Sequence, residues 1–236
     1  MKKFILFCLL FCGVTAKAHE ISAPLVDTQL VFILDRSGSM GGLESDTIGG
    51  FNAMLEKQKK EKGLAFVTTV LFDHKYELLH NRIPLEKVSP ITEKEYFVRG
   101  NTALLDAIGK TIVNVKQQQK ASEKMKSERV LFVIITDGME NASQEFKLDK
   151  VKQLITEQQK KQEWEFLFLG ANIDAINTAE SFGIDKSRAV EYISDSQGTQ
   201  MNYKAVNSAV QEVRRGKQLD ESWKAEIEAD VKERKK

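Results

Sequence analysis

Residues 30–40 read LVFILDRSGSM, an apolar run that ends abruptly at Asp35 and continues into a turn of serine and glycine. The apolar part is typical of a β-strand that is buried on both faces of a sheet. Asp35, Ser37 and Ser39 then occupy alternate positions, and alternate residues of an extended segment face the same side. One carboxylate and two hydroxyl groups can therefore converge on one point. Such a hard, oxygen-only set suits Mg²⁺ or Mn²⁺ better than Zn²⁺.

This stretch resembles the metal-ion-dependent adhesion site (MIDAS) of von Willebrand factor A (vWA) domains, whose motif is Asp-x-Ser-x-Ser. Two later stretches strengthen the resemblance. Residues 100–108, GNTALLDAI, look like the family's threonine loop. Residues 130–138, VLFVIITDG, look like the family's second acidic strand end. All three elements occur in the family's order and at its spacing.

The resemblance implies a metal-ligand set. Asp35 would be the one charged direct ligand, with Ser37 and Ser39 as neutral hydroxyl ligands. Thr102 would bind the metal directly or through water, and Asp137 commonly through water. A divalent cation with so few direct carboxylates keeps positive character and an open coordination position, which an Asp or Glu of a protein partner would fill.

Strand-like apolar runs alternate with helical patterns along the chain, which favours a mostly parallel sheet covered by helices on both faces. The predicted strands span residues 29–35, 64–72, 76–79, 129–136, 164–169 and 189–193. A turn at residues 73–75 predicts one antiparallel edge strand, and Ser45 is a candidate N-cap for the first helix. The vWA resemblance covers about residues 28–215 and implies a six-stranded, doubly wound (Rossmann-like) α/β fold. Such sheets bind ligands at the carboxyl ends of their strands.

The first 18 residues have the pattern of a signal peptide. Lys2 and Lys3 precede an apolar core, residues 4–14, and the small residues Ala16 and Ala18 predict cleavage before His19. The core is too short to span a bilayer, so no stable membrane insertion is expected after cleavage. The sequence thus predicts an exported protein, periplasmic or secreted, with residues 19–27 as a short lead before the domain.

Composition excludes several classes of function. Of the 35 basic and 34 acidic residues, three basic and no acidic ones lie in the signal segment, so the remainder has 32 basic and 34 acidic residues and a net charge of −2. This balance argues against nucleic acid or an anionic membrane as partner. Cys8 and Cys12 both lie in the signal segment, so no disulfide or thiol chemistry is expected in the mature protein.

The C-terminal residues 216–236 are highly charged but contain an apolar residue at every fourth position. Leu219, Trp223, Ile227 and Val231 form this narrow stripe. A narrow stripe is typical of a helix packed against a domain. The alternative is a helix that binds a partner.

Several other polar residues fall near the predicted site. Asp106 is expected to brace the threonine loop, and Glu140, Asn141 and Asn172 are expected on the rim as caps or loop hydrogen-bonding groups. Asp73 is a candidate for a second cation or a turn former. The three histidines, His19, His74 and His80, have no metal-ligand spacing.

The sequence therefore predicts a non-enzymatic, exported module that binds an acidic residue of a partner protein through Mg²⁺ (or Mn²⁺). No nucleophile elbow, cysteine nucleophile or phosphate-binding loop is recognisable. A Mg²⁺- or Mn²⁺-dependent hydrolase is one alternative, because a metal with an open position can activate water. An accessory subunit that docks on a larger extracytoplasmic assembly is the other.

Overall fold

The computed structural model describes residues 26–235. The predicted signal peptide, and the lead up to residue 25, lie outside the described residues. Within residues 26–235, no helix is long and apolar enough to cross a membrane.

The sheet has six strands in the order β3-β2-β1-β4-β5-β6. All neighbouring pairs are parallel except β2 and β3, which are antiparallel. The predicted α/β class, with one antiparallel edge strand, is therefore confirmed. The strands are Thr28–Asp35 (β1), Ala65–Phe72 (β2), Tyr76–Pro84 (β3), Arg129–Thr136 (β4), Glu165–Gly170 (β5) and Ala189–Glu191 (β6).

Helices cover both faces of the sheet. They are Glu44–Lys59 (α1), Leu104–Lys120 (α2), Glu123–Lys126 (α3), Leu148–Gln162 (α4), Ala175–Ser181 (α5), Ser196–Arg214 (α6) and Ala225–Arg234 (α7). Every residue of β1 is buried, because alternate side chains enter two different cores. Phe32 packs in one core with residues of α1 and α6. Ile33 packs in the other core with residues of α2 and α4.

Two local predictions were wrong. Ser45 is not the N-cap of α1, because the helix begins at Glu44 with Leu43 in the cap position and no side-chain cap. Strand β3 extends to Pro84 instead of ending at residue 79. The register of the hairpin shifts near Thr69, and this irregularity carries the strand past the point where simple alternation stops. The proline lies at the strand end, where its missing N–H costs little.

The C-terminal stripe packs against the domain, as the first of the two interpretations predicted. Leu219, Trp223 and Ile227 are buried in the core that also contains α1 and α6. The indole Nε1 of Trp223 donates a hydrogen bond of 2.9 Å to the carbonyl oxygen of Ser187. The stripe is therefore covered, and it does not offer a free apolar face to a partner.

Candidate metal centre

The strand order brings the two predicted acidic residues together. Asp35 is the last residue of β1, and Asp137 immediately follows β4, which pairs with β1 in parallel. The carboxyl ends of parallel neighbours lie at the same edge of a sheet. The loops that follow β1, β4 and β6, together with the segment before α2, supply the rest of the site.

Asp35 is almost completely buried, with 1% of its surface exposed. Its Oδ1 accepts a hydrogen bond of 2.7 Å from the backbone N–H of Ser37, and its Oδ2 accepts one of 2.5 Å from Thr136 Oγ1. Burial raises the pKa of Asp35 to about 6, although these hydrogen bonds oppose the rise. The ionised carboxylate is thus incompletely compensated by the protein alone, and a cation would supply the missing charge.

Three hydroxyl groups meet beside this carboxylate. Ser37 Oγ lies 3.1 Å from Ser39 Oγ, and Thr102 Oγ1 donates a hydrogen bond of 3.0 Å to Ser37 Oγ. Ser37 and Thr102 are buried, whereas Ser39 is exposed. The predicted hydroxyl set is therefore assembled from two separate loops, with one side open to solvent.

Gly138 makes room between these hydroxyl groups. A Cβ atom at this position would lie 3.0 Å from Thr102 Oγ1, 3.1 Å from Ser39 Oγ and 3.8 Å from Ser37 Oγ. The absent side chain thus leaves a small space onto which all three oxygens face. The motif at residues 130–138 includes this glycine, but the space that it leaves between the hydroxyl groups was not predicted from the sequence.

Asp137 has one oxygen that lacks a partner. The residue is 1% exposed, and its Oδ2 accepts a hydrogen bond of 3.2 Å from Ser194 Oγ. Its Oδ1 is buried and has no hydrogen-bond donor among the described residues. Burial raises the pKa of Asp137, although the nearby hydroxyl groups of Ser39 and Ser194 oppose the rise. A buried acceptor of this kind needs a donor or a cation. Ser194, in the loop between β6 and α6, was not identified from the sequence.

The donor set fits a hard divalent cation. No cluster of three or more His, Cys, Asp or Glu residues that could hold a metal occurs within residues 26–235. The site instead combines two carboxylates with three neutral hydroxyl groups. Oxygen ligands of this type suit Mg²⁺ and Mn²⁺. With Asp35 as the one direct carboxylate, a bound ion would keep positive character.

Two of the three predicted rim residues, Glu140 and Asn141, have the structural role expected of them. Glu140 accepts hydrogen bonds from the backbone N–H groups of Leu105, at the start of α2, and of two residues in its own loop. Asn141 Oδ1 accepts a hydrogen bond of 2.9 Å from the N–H of Thr102. Asn172 is exposed after β5, with a positive φ of 55°. These bonds fix the loop after β4 against the threonine loop.

Asp106 braces a different segment from the one predicted. Its two carboxylate oxygens accept hydrogen bonds of 2.7–3.0 Å from three consecutive backbone N–H groups, those of residues 144–146. It therefore holds the loop between β4 and α4, and not the threonine loop.

Asp73 is a turn former, and the hypothesis of a second cation there is wrong. Its Oδ1 accepts the N–H of Lys75, and its Oδ2 is already contacted by two guanidinium groups, those of Arg36 and Arg99. His74 Nδ1 lies 3.1 Å from Asp73 Oδ1, and His80 Nδ1 lies 3.0 Å from a threonine hydroxyl on β2. His19 lies outside the described residues.

The strand order and the single antiparallel edge strand, with the candidate site at the carboxyl ends of β1 and β4, define a vWA-type fold. Solved structures with this fold include the PilB minor pilin from Streptococcus sanguinis, at 11% identity and a TM-score of 0.57, with 80% of this chain and 62% of that chain covered. Proximal thread matrix protein 1 from the mussel byssus, with a zinc-occupied MIDAS motif, matches at 13% identity and a TM-score of 0.56, over 81% and 47% of the two chains. A von Willebrand factor type A protein from Catenulispora acidiphila matches at 13% identity and a TM-score of 0.55, over 79% and 43%.

At these identities the likeness establishes the fold. The chain spans 43–62% of the length of these three structures. No protein-family model matches the sequence, and no curated protein matches it.

Proposed function

We propose that this chain is an exported protein-binding module that holds Mg²⁺ (or Mn²⁺) and uses it to capture an Asp or Glu side chain of a partner protein. The proposed metal ligands, direct or through water, are Asp35, Ser37, Ser39, Thr102 and Asp137. The observation that carries the proposal is the meeting of three hydroxyl groups around the space at Gly138, together with the unpartnered Oδ1 of the preceding residue, Asp137. Export rests on the sequence pattern of residues 1–18.

The charge distribution supports capture of a carboxylate. As the one direct carboxylate, with Asp137 acting through water, Asp35 would neutralise only part of the charge of a divalent cation. The serine and threonine hydroxyl groups add no charge. When bound, the cation supplies net positive charge and a coordination position that an anionic oxygen can fill. The exposure of Ser39 leaves one side of the site open to such an oxygen.

A metal-dependent hydrolase is less well supported. Such an enzyme needs a general base and a second charged group to stabilise the transition state. The nearby candidates, Glu140 and Asp73, are already engaged by several donors each. An accessory subunit of a larger extracytoplasmic assembly would use the same binding mechanism and differ only in its partner. The names of the structural relatives, a minor pilin and a thread matrix protein, are compatible with a role in protein assemblies.

Gly138→Ala should weaken Mn²⁺ binding about tenfold or more and leave the fold intact. The new methyl group would enter the space between Thr102 Oγ1 and Ser39 Oγ, at distances of 3.0 and 3.1 Å, and would crowd the site. Gly49→Ala on α1 is the matched control, because a Cβ atom there meets nothing within 4 Å. Calorimetric titration with Mn²⁺ makes the comparison. Equal Mn²⁺ affinity of both variants would show that the space at residue 138 is not used by the metal.

Thr102→Ala should lower the affinity for the partner protein at least about tenfold, while it lowers the affinity for Mn²⁺ by only about twofold to threefold. The variant removes one neutral oxygen of the proposed ligand set and keeps both carboxylates. Thr156→Ala, on α4, is the control. The partner is first captured from an extracytoplasmic extract in Mg²⁺ and released with EDTA, and each variant is then titrated in saturating Mg²⁺. Capture that EDTA does not affect, together with unchanged binding by Thr102→Ala, would place the partner on another surface.

A further inference from the structure

A charged cluster lies beside the candidate metal centre, at residues that the proposed function does not use. Arg36 stands between Asp35 and Ser37 in the sequence, yet its side chain is completely buried. Its Nε donates to Asp73 Oδ2 at 3.0 Å, its Nη1 to the carbonyl oxygen of Glu95 at 2.8 Å, and its Nη2 to Glu77 Oε2 at 2.6 Å. A buried arginine is costly unless its donors are satisfied, and here every one of its side-chain nitrogens has a partner.

Asp73 is shared by two loops. Its Oδ2 also accepts a hydrogen bond of 2.8 Å from Arg99 Nε, and Arg99 lies three residues before Thr102. Burial by itself would raise the pKa of Asp73, but hydrogen bonds from Arg99 and the Lys75 N–H, with the charge of Arg36, hold that pKa below its usual value. One carboxylate therefore connects the loop after β1 to the threonine loop.

Backbone hydrogen bonds connect the same segments. The N–H of Arg99 donates a hydrogen bond of 2.9 Å to the carbonyl oxygen of Arg36. The N–H of Gly38 donates one of 3.0 Å to the carbonyl oxygen of Gly100. The N–H of Ala103 donates to the carbonyl oxygen of Asp73 at 2.9 Å. The side-chain cluster thus lies beside the backbone bonds that set the distance between Ser37 and Thr102.

We propose that Arg36, Asp73 and Arg99 form a positioning cluster, which holds the loop of residues 36–40 and the threonine loop at the separation at which their hydroxyl groups meet. The proposal rests on the proposed function for its consequence, which is tighter binding of the divalent cation. The cluster itself does not touch the metal. It acts before the metal arrives, by reducing the number of loop arrangements that the ligands can adopt.

Arg99→Ala is the most informative variant. The Arg99 side chain is 34% exposed, so its removal leaves the buried Arg36–Asp73 pair in place and the fold intact. In the metal-free protein, hydrogen exchange at the Gly38 and Ala103 amides should become at least about fivefold faster. Mn²⁺ affinity should fall about threefold to tenfold, and Arg99→Lys should restore part of both properties.

Arg188→Ala is the matched control. Arg188 Nε also lies 2.8 Å from a carboxylate oxygen, that of Glu165, but this ion pair is at the opposite end of the sheet. Its loss should leave exchange at Gly38 and Ala103 and Mn²⁺ affinity unchanged.

Amide exchange separates this proposal from the proposed function. Faster amide exchange in Arg99→Ala supports the positioning cluster whether or not the wild-type chain binds Mn²⁺. If the wild-type chain binds no Mn²⁺, the proposed function is overturned and the positioning cluster is not. Exchange in Arg99→Ala that equals that of Arg188→Ala would overturn the cluster proposal. If the wild-type chain binds Mn²⁺ and Arg99→Ala binds it equally tightly, the proposal that the cluster tightens metal binding would be overturned.

Discussion

Asp35→Asn should reduce Mn²⁺ affinity by at least about 100-fold, which corresponds to about 2.7 kcal/mol of binding free energy. Asp35 is almost completely buried, and it is the one direct carboxylate of the proposed ligand set. Asparagine has nearly the same shape and can still accept the hydrogen bond from the Ser37 N–H. The loss of Mn²⁺ affinity would therefore be due to the missing charge and not to altered packing. Calorimetric titration with Mn²⁺ measures it.

The same variant should stabilise the metal-free protein. A buried carboxylate whose pKa is raised to about 6 destabilises the folded state at neutral pH, so its removal should increase the free energy of unfolding in EDTA by about 1–3 kcal/mol. Asp149→Asn, at an exposed position on α4, is the control and should change neither property. Wild-type Mn²⁺ affinity in Asp35→Asn would contradict the proposed ligand set.

Trp223→Ala should lower the free energy of unfolding by about 3–5 kcal/mol. The indole is 5% exposed, packs in the same core as Leu219 and Ile227, and donates a hydrogen bond to the Ser187 carbonyl oxygen. Alanine would leave both a cavity and an unpaired carbonyl group. Urea denaturation, monitored by circular dichroism in EDTA, gives the change in free energy.

Met139→Ala is the control for this prediction, because that side chain is 71% exposed. A surface truncation of this kind should change stability by less than about 0.5 kcal/mol. If Trp223→Ala unfolds at the same urea concentration as the wild type, residues 216–236 would contribute nothing to the folded domain.

The architecture could be predicted because its signals are local. The central strands β1 and β4 are continuous apolar runs, since both faces of a parallel sheet are buried. Alternation with helical patterns then favoured the parallel arrangement. Strand β3 was predicted too short because the hairpin contains an irregularity near Thr69. Such a shift depends on packing between strands, and sequence periodicity does not record it.

The residues of the candidate site likewise fall into those that the sequence could suggest and those that only the fold reveals. Asp35, Ser37 and Ser39 could be proposed as ligands from their alternate spacing, strengthened by the two later motifs, and Thr102 and Asp137 from the family motifs in which they lie. Gly138 and Ser194 were missed because their roles depend on what the fold brings next to them. Arg36 shows the limit most clearly. A charged residue inside a polar loop gives no sequence signal that it is buried, and its partners lie 37 and 41 residues away.

The most direct test of the metal-binding account is a calorimetric titration of the purified, EDTA-treated chain with Mn²⁺, accompanied by thermal melts in Mn²⁺, Mg²⁺ and EDTA. The account predicts one Mn²⁺ per chain. It also predicts a higher melting temperature in either metal, because a ligand that binds only the folded state stabilises it, by about 2.7 kcal/mol at 100 times its dissociation constant. The absence of any binding heat, together with identical melts in all three solutions, would contradict it.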